Sequence, residues 1–181
     1  MRRLVFSFVA VVALVQASDP LYESARRKLD LIETRKAKRK SVFLFTQAEI
    51  NAWAPIRVPD YVPRGLRNPR VELGDGSADG YALVDLLKMR DVQPSLLTKF
   101  VEGERPLKIS IRLQSSGGFC TIFLDRVEIG GVAAGGRVLD FLVKTFFLPM
   151  YPEAKIDEPF ELDYNIESID IRPSGVAVKI K

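Results

Sequence analysis

Phe119-Cys120-Thr121-Ile122-Phe123-Leu124-Asp125-Arg126-Val127-Glu128-Ile129, then Gly130-Gly131-Val132-Ala133-Ala134-Gly135-Gly136, then residues 137–148, is the stretch on which the fold turns. Its first part alternates as a strand does, but the apolar phase changes near Asp125-Arg126, which predicts a bulge or sharp bend. The glycines form a turn. Beyond it stand Val138, Leu139, Phe141, Leu142, Val143, Phe146, Phe147 and Leu148, interrupted by Thr145 and by Arg137, Asp140 and Lys144 on one narrow helical stripe. A helix this apolar must be covered on most sides, by its own sheet or by something greasy from outside. Leu139, Leu142 and Phe146 share one helical face, and Phe123, Val127 and Ile129 are expected on one side of the strand.

Working outward, Leu107, Ile109, Ile111 and Leu113 alternate with Lys108, Ser110 and Arg112, predicting a strand with one wet and one dry face. Ser115-Ser116-Gly117-Gly118 turns it into the 119–129 strand. Leu162, Tyr164 and Ile166 change phase at Glu167-Ser168 relative to Ile169 and Ile171, a second predicted irregularity. Arg172-Pro173-Ser174-Gly175 then turns the chain into Val176, Val178 and Ile180. Upstream, Val71-Glu72-Leu73 and a strand from Tyr81 read as a hairpin joined by a long glycine-rich connection, 74–80. Pro94-Ser95 and the apolar positions at Leu96, Leu97, Phe100 and Val101 predict a short helix. Strongly bent antiparallel strands with helices kept to one side make an α+β fold.

Two helix starts are marked by their chemistry. Asp19-Pro20 offers an N-cap and a first-turn proline, followed by Leu21, Ala25, Leu29 and Ile32 at helical spacing. The strand Val42-Phe43-Leu44-Phe45 feeds Thr46-Gln47-Ala48-Glu49-Ile50, a capping box with Phe45 and Ile50 as its hydrophobic staple. That second helix is expected to stop at Pro55, with Ile50 and Trp53 facing inward. Residues 55–69, rich in Pro and Arg, read as an extended loop.

Composition removes whole classes of chemistry. The 181 residues suit one domain with a sizeable core, and 47% are apolar. There is no histidine, which excludes Ser-His and Cys-His nucleophile pairs and the commonest transition-metal ligand. Cys120 is the single cysteine, so no intramolecular disulfide or thiolate metal cluster can form; within an apolar run it reads as a small buried hydrophobe. Asp75, Asp79 and Asp85, or Asp125 with Glu128, are the carboxylates that acid–base chemistry would use. Turn and outward strand positions explain them without catalysis, so no enzyme, cofactor or metal is expected.

The amino terminus reads as an export signal: Arg2-Arg3, an apolar run from Leu4 to Val15, and Val15-Gln16-Ala17 as a cleavage site before Ser18. The apolar run falls short of the roughly 20 residues of a membrane span. The expected organisation is a signal peptide over 1–17, a basic helix over 18–40, and one α+β domain over 41–181. The net charge of +4 is concentrated: Arg26, Arg27, Lys28, Arg35, Lys36, Lys38, Arg39 and Lys40 face only Asp30 and Glu33 in that segment. Residues 26–40 are therefore a candidate contact for anionic membrane headgroups. Nucleic acid is not expected, since no aromatic residues interleave the charges.

In their order, the capped Phe45-Thr46-Gln47-Ala48-Glu49-Ile50-Asn51 start, the Val127-Glu128-Ile129-Gly130-Gly131 passage into the 137–148 segment, and the closing hairpin at 160–180 resemble the small bacterial envelope members of the tubular lipid-binding (TULIP) superfamily. The resemblance spans residues 41–181. It implies a strongly bent antiparallel sheet wrapped around one or two helices as a half-barrel, with an apolar groove for acyl chains. It also implies non-catalytic binding or shuttling of a lipid in the cell envelope, periplasmic or extracellular. From the apolar pattern itself, Ile50, Trp53, Phe123, Val127, Leu139, Leu142 and Phe146 are the candidate ligand-lining residues, with Arg137 and Lys144 as rim charges. The alternative is an envelope protein-interaction or scaffolding module with a filled core, using Tyr61, Arg64, Arg67 and Arg70 in the proline-arginine loop.

Overall fold

The computed structural model describes residues 19–62, 64–85, 88, 103–136, 139–140, 144 and 156–181. The proposed signal (1–17), the expected helix near 96–101, and Arg137, Phe141, Leu142, Phe146 and Phe147 lie outside them. Helix α1 (Pro20–Glu33) starts as its sequence requires, with Asp19 Oδ1 accepting from the Leu21 N–H at 2.8 Å. It leads through a hydrogen-bonded loop to strand β1 (Val42–Phe45) and helix α2 (Gln47–Arg57). At the α2 start both halves of the capping box are made: the Glu49 N–H donates to Thr46 Oγ1, and the Thr46 N–H donates to Glu49 Oε2 at 2.8 Å.

Pro55 does not end α2. The helix runs on to Arg57 and passes into a 3₁₀ turn, Val58–Asp60, and strand β2 (Leu66–Leu73) begins inside the expected loop. Pro55 lacks the N–H for its own helical hydrogen bond, and with its ring exposed near the end of α2 that loss does not stop the helix. Pro69 is accommodated because β2 is an outer strand with a bulge there: Asn68 and Pro69 together oppose one residue of strand β3 (Ser77–Val84). The β2–β3 connection is only residues 74–76, so Ser77 to Gly80 belong to the strand rather than to a long turn.

Strands β4 (Arg105–Ser116), β5 (Phe119–Ile129) and β6 (Val132–Ala133) complete an antiparallel path β2-β3-β4-β5-β6, with β7 (Phe160–Glu161) pairing at the far end of β5. Gly117 and Gly118 both have positive φ in the two-residue β4–β5 turn, as a twist-matched hairpin requires. A smaller antiparallel sheet has the order β1-β9-β8, formed with β8 (Ile166–Arg172) and β9 (Gly175–Ile180). The expected irregularities are present: the β4–β5 register shifts so that Asp125 is unpaired, and the β8–β9 register skips Glu167. The protein is thus α+β, with mostly antiparallel strands and, among the described residues, two α-helices. No helix among them is long and apolar enough to cross a membrane.

Two buried clusters organise the chain. Ala25, Ile32, Phe45, Val178 and Ile180 join α1 to the smaller sheet, with Leu29, Ile50 and Trp53 packed against them. Val62, Val84, Leu107, Val127 and Ile129 form the second cluster, on one face of the larger sheet. Both α1 and α2 contribute to the first cluster, so the basic helix is built into the body rather than appended to it. β8 stitches the two sheets together: the Gly76 N–H donates to the Ile171 carbonyl at 2.9 Å, the Gly118 N–H to the Glu167 carbonyl at 2.7 Å, and the Ile169 N–H to Ser115 Oγ at 3.0 Å.

Candidate functional site

Strand pairing decides which side chains share a face. Opposite β3, Val71 pairs with Gly80 and Leu73 with Ala78 on β2. On the other side Ala78 pairs with Ile111, Gly80 with Ile109 and Ala82 with Leu107 on β4. The face that carries the buried Leu107 and Val84 therefore has a row of small residues, Ala78, Gly80 and Ala82, between two rows of larger ones. Val71, Leu73, Ile109, Ile111, Leu113 and Leu124 are all only half-buried. Among the described residues this row makes a furrow two strand spacings across, about 10 Å between flanking backbones, and about 13 Å long over Ala78 to Ala82.

Gly80 decides how that furrow is read. It sits in mid-strand, where glycine weakens a sheet, and its φ is not in the left-handed region that would call for it. A Cβ built there would meet, among described atoms, only the Ile109 carbonyl oxygen at 3.8 Å. Among the described residues, neither turn geometry nor a close neighbour explains the missing side chain. At one end the furrow runs into the buried Val62, Val84, Leu107, Val127 and Ile129, which gives it an apolar closure.

The other face of the same sheet is charged. Lys108 pairs with Asp79 at 3.1 Å, Arg126 pairs with Glu128, and Tyr81 donates to Glu72 at 3.0 Å while the Arg70 guanidinium lies 4.1 Å from the Tyr81 ring centroid. Hydrogen bonds from Ser110 and, against the opposing effect of burial, from Lys108 hold the Asp79 carboxyl below its ordinary range. Arg112 grips Asp125 through two nitrogens at 2.7–3.0 Å, lowering that carboxyl, and lies 5.2 Å over the Phe123 ring.

Sequence reasoning placed the lining residues as one set, and the structure distributes them. Val127 and half-buried Leu139 belong to the cluster that closes the furrow. Ile50 and Trp53 serve the other cluster, and Trp53 also borders a cleft of about 230 Å³ between α1 and α2 with Tyr22, Leu29 and Tyr61. Phe123 does not share a side with Val127 and Ile129. Asp125 is an extra residue in the ladder, so the phase flips there: Cys120, Ile122, Val127 and Ile129 are buried while Phe123 sits beneath Arg112 on the charged face. Lys144 and Asp140 are exposed. A roomier cleft of about 530 Å³ sets Arg35, Glu161, Asp163 and Lys181 beside Phe160, Leu162 and Tyr164, so its lining is mixed and mostly polar.

The chemistry-bearing groups have structural occupations. Asp85 is buried and meets Lys88 at 2.7 Å, and Asp75 is exposed in the tight β2–β3 turn. Cys120 is buried, and burial pushes its thiol up to about 11, far from a ready nucleophile. Among the described residues no three carboxylates or thiols gather as metal ligands would. No family model, curated protein or solved structure matches the chain. Ala78 and Gly80 fall within the connection that the sequence predicts over 74–80, and Ala82 in the strand that it predicts from Tyr81; a glycine spaced evenly between two alanines is the signal that joins the three as one face.

Proposed function

We propose that this chain is an exported, non-catalytic carrier that binds a lipid or other long apolar ligand in the cell envelope, along the furrow on β3 and β4. One observation carries the reading: Gly80, a mid-strand glycine where an added Cβ would meet, among the described residues, only the Ile109 carbonyl oxygen at 3.8 Å, between half-buried Val71 and Ile109. A strand keeps a glycine at some cost, and a close approach by a ligand is one of the few reasons to do so. Each methylene moved from water into an apolar furrow contributes about 0.8 kcal/mol. In this reading the bulges at Asp125 and Glu167 are the places where the sheets bend towards the half-barrel that the tubular lipid-binding resemblance implies.

The test is saturable binding of a fluorescent long-chain fatty acid, together with lipid extraction and mass spectrometry of the purified protein. Gly80→Leu, which plugs the furrow, is expected to weaken probe binding by about tenfold, the scale of one to two displaced methylene contacts. Folded wild-type protein that carries no lipid and takes up no probe would remove the carrier reading and leave the protein-interaction module in its place.

A further inference from the structure

Beyond the furrow, the structure separates the basic segment into charges that are used and charges that are not. Arg26 lies between Glu23 at 4.0 Å and Asp30 at 3.8 Å, and the Arg27 Nε donates to the Glu23 carbonyl at 3.2 Å. Lys28 reaches inward to Glu49 Oε1 at 2.5 Å and to the Leu44 carbonyl at 2.7 Å. Arg35, Lys36, Lys38, Arg39 and Lys40 are all exposed, and none forms an ion pair among the described residues. Five cations within six positions, with no ion pair among the described residues, repel one another and are held together by the fold.

The fold does hold them. The Lys36 and Ala37 N–H groups both donate to the Leu31 carbonyl, at 3.0 and 2.9 Å, and the Ser41 N–H donates to the Lys38 carbonyl at 3.2 Å. Ala37 packs against the buried cluster, and Arg35 and Lys40 adopt positive φ to make the bends. The loop ends directly in β1, whose Phe43 and Phe45 pack inward and whose Val42 and Leu44 are left 59% and 49% exposed on the outer face. Lys179, in register with Val42, is already paired to Glu167 at 3.0 Å and belongs with the charges that are used.

We infer that this loop and the outer face of β1 form a docking surface for a bilayer bearing anionic headgroups. The five cations meet the negative surface potential, and Val42 and Leu44 enter the interface beside them. Among the described residues only Arg35 of the five borders a cleft, and a fluid anionic surface fits long side chains that do not converge on one. Single-stranded nucleic acid would want aromatic stacking platforms, and the exposed side chains here are aliphatic. The docking surface does not depend on the furrow being a ligand site.

The experiment is flotation of the purified protein with vesicles of phosphatidylcholine alone or with a one-third share of phosphatidylglycerol, at roughly 0.1 M salt. Wild type and variants are prepared with the same sequenced amino terminus, so that residues 4–15 contribute equally wherever they are retained. Wild type is expected to float with the anionic vesicles only. The combined variant Arg35→Gln, Lys36→Gln, Lys38→Gln, Arg39→Gln and Lys40→Gln should bind them at least about tenfold more weakly at unchanged thermal stability. Val42→Ser with Leu44→Ser should lower binding by a few fold and make what remains fully salt-sensitive. Equal binding to both vesicle types, or unchanged binding by the five-glutamine variant, overturns the inference. So does charge-dependent capture by an oligonucleotide with no vesicle binding. Gly80→Leu should float like wild type, so failure of the furrow reading and failure of the docking surface give different results.

Discussion

The layer around Glu49 and the furrow around Gly80 are built on opposite terms. In the first, every polar group has a defined partner. Glu49 is 5% exposed and is reached by Lys28, the Thr46 N–H and Ser24. Burial alone would raise its carboxyl; the hydrogen bonds from Lys28, Ser24 and Thr46, with the Lys28 charge, outweigh that and bring it down to about 2. In the second, apolar side chains flank a row of small ones and remain half-buried. The contrast separates a region that holds the fold together from one that has surface to spare, and two glycines make it measurable.

Gly175 gives the largest expected effect. It has φ 150°, and an added Cβ would stand 2.5 Å from the Phe45 carbonyl oxygen, a backbone atom with no freedom to withdraw. Gly175→Ala should destabilise by about 3 kcal/mol or more, combining a left-handed φ with overpacking. A chemical-denaturation midpoint close to wild type would show that the smaller sheet is looser than its packing implies.

Glu49→Gln comes next, at about 2–3 kcal/mol, below the range for a fully buried pair because the Lys28 side chain is still 27% exposed. Its acid dependence has a fixed sign. A carboxyl whose folded value lies near 2 against an ordinary 4.5 stabilises the fold above about pH 4.5, and that stability is lost as pH falls towards 2. The variant's stability should therefore be flatter than wild type across that window. Parallel curves would dissociate Glu49 from acid unfolding.

Asn51→Ala should cost about 1–3 kcal/mol, since the Val71 N–H and carbonyl would both lose their partner. The smallest effect closes the comparison. Gly80→Ala should be neutral or stabilising by about 0.5–1 kcal/mol, because the strand gains stiffness and, among the described residues, the new methyl meets only the Ile109 oxygen at 3.8 Å. If it destabilises as Gly175→Ala does, the furrow is filled and the contrast between the two regions collapses.

Much of the framework was legible in local chemistry. Asp19-Pro20 and Thr46 to Glu49 signal helix starts through bonds made within three residues, and such signals survive any tertiary arrangement. The breaks of alternation at Asp125 and Glu167 marked real register shifts. What failed was carrying a phase across a break: Phe123 and Val127 have the same parity in sequence but opposite sides in space, because Asp125 adds one residue between them. Pro69 and Gly80 have the composition of a loop, whereas a bulge and a ladder partner keep them in strands. The roles of Gln47 and Asn51 are fixed by residues 20 to 26 positions away, and nothing local announces them.

Those two side chains have a consequence for the chain in crowded surroundings. Asn51 presents a donor and an acceptor to the main chain of Val71, and Gln47 presents an acceptor to the Leu73 N–H, at 2.7–2.9 Å. A helix thereby imitates the missing neighbour of β2, and the end of the sheet that a second molecule could have extended is already occupied. At the opposite end β6 is only two residues long. Protection against templated stacking, which many sheet proteins obtain from charges or prolines along an outer strand, is here divided between Pro69 with its bulge in the first half of β2 and two helix amides in the second.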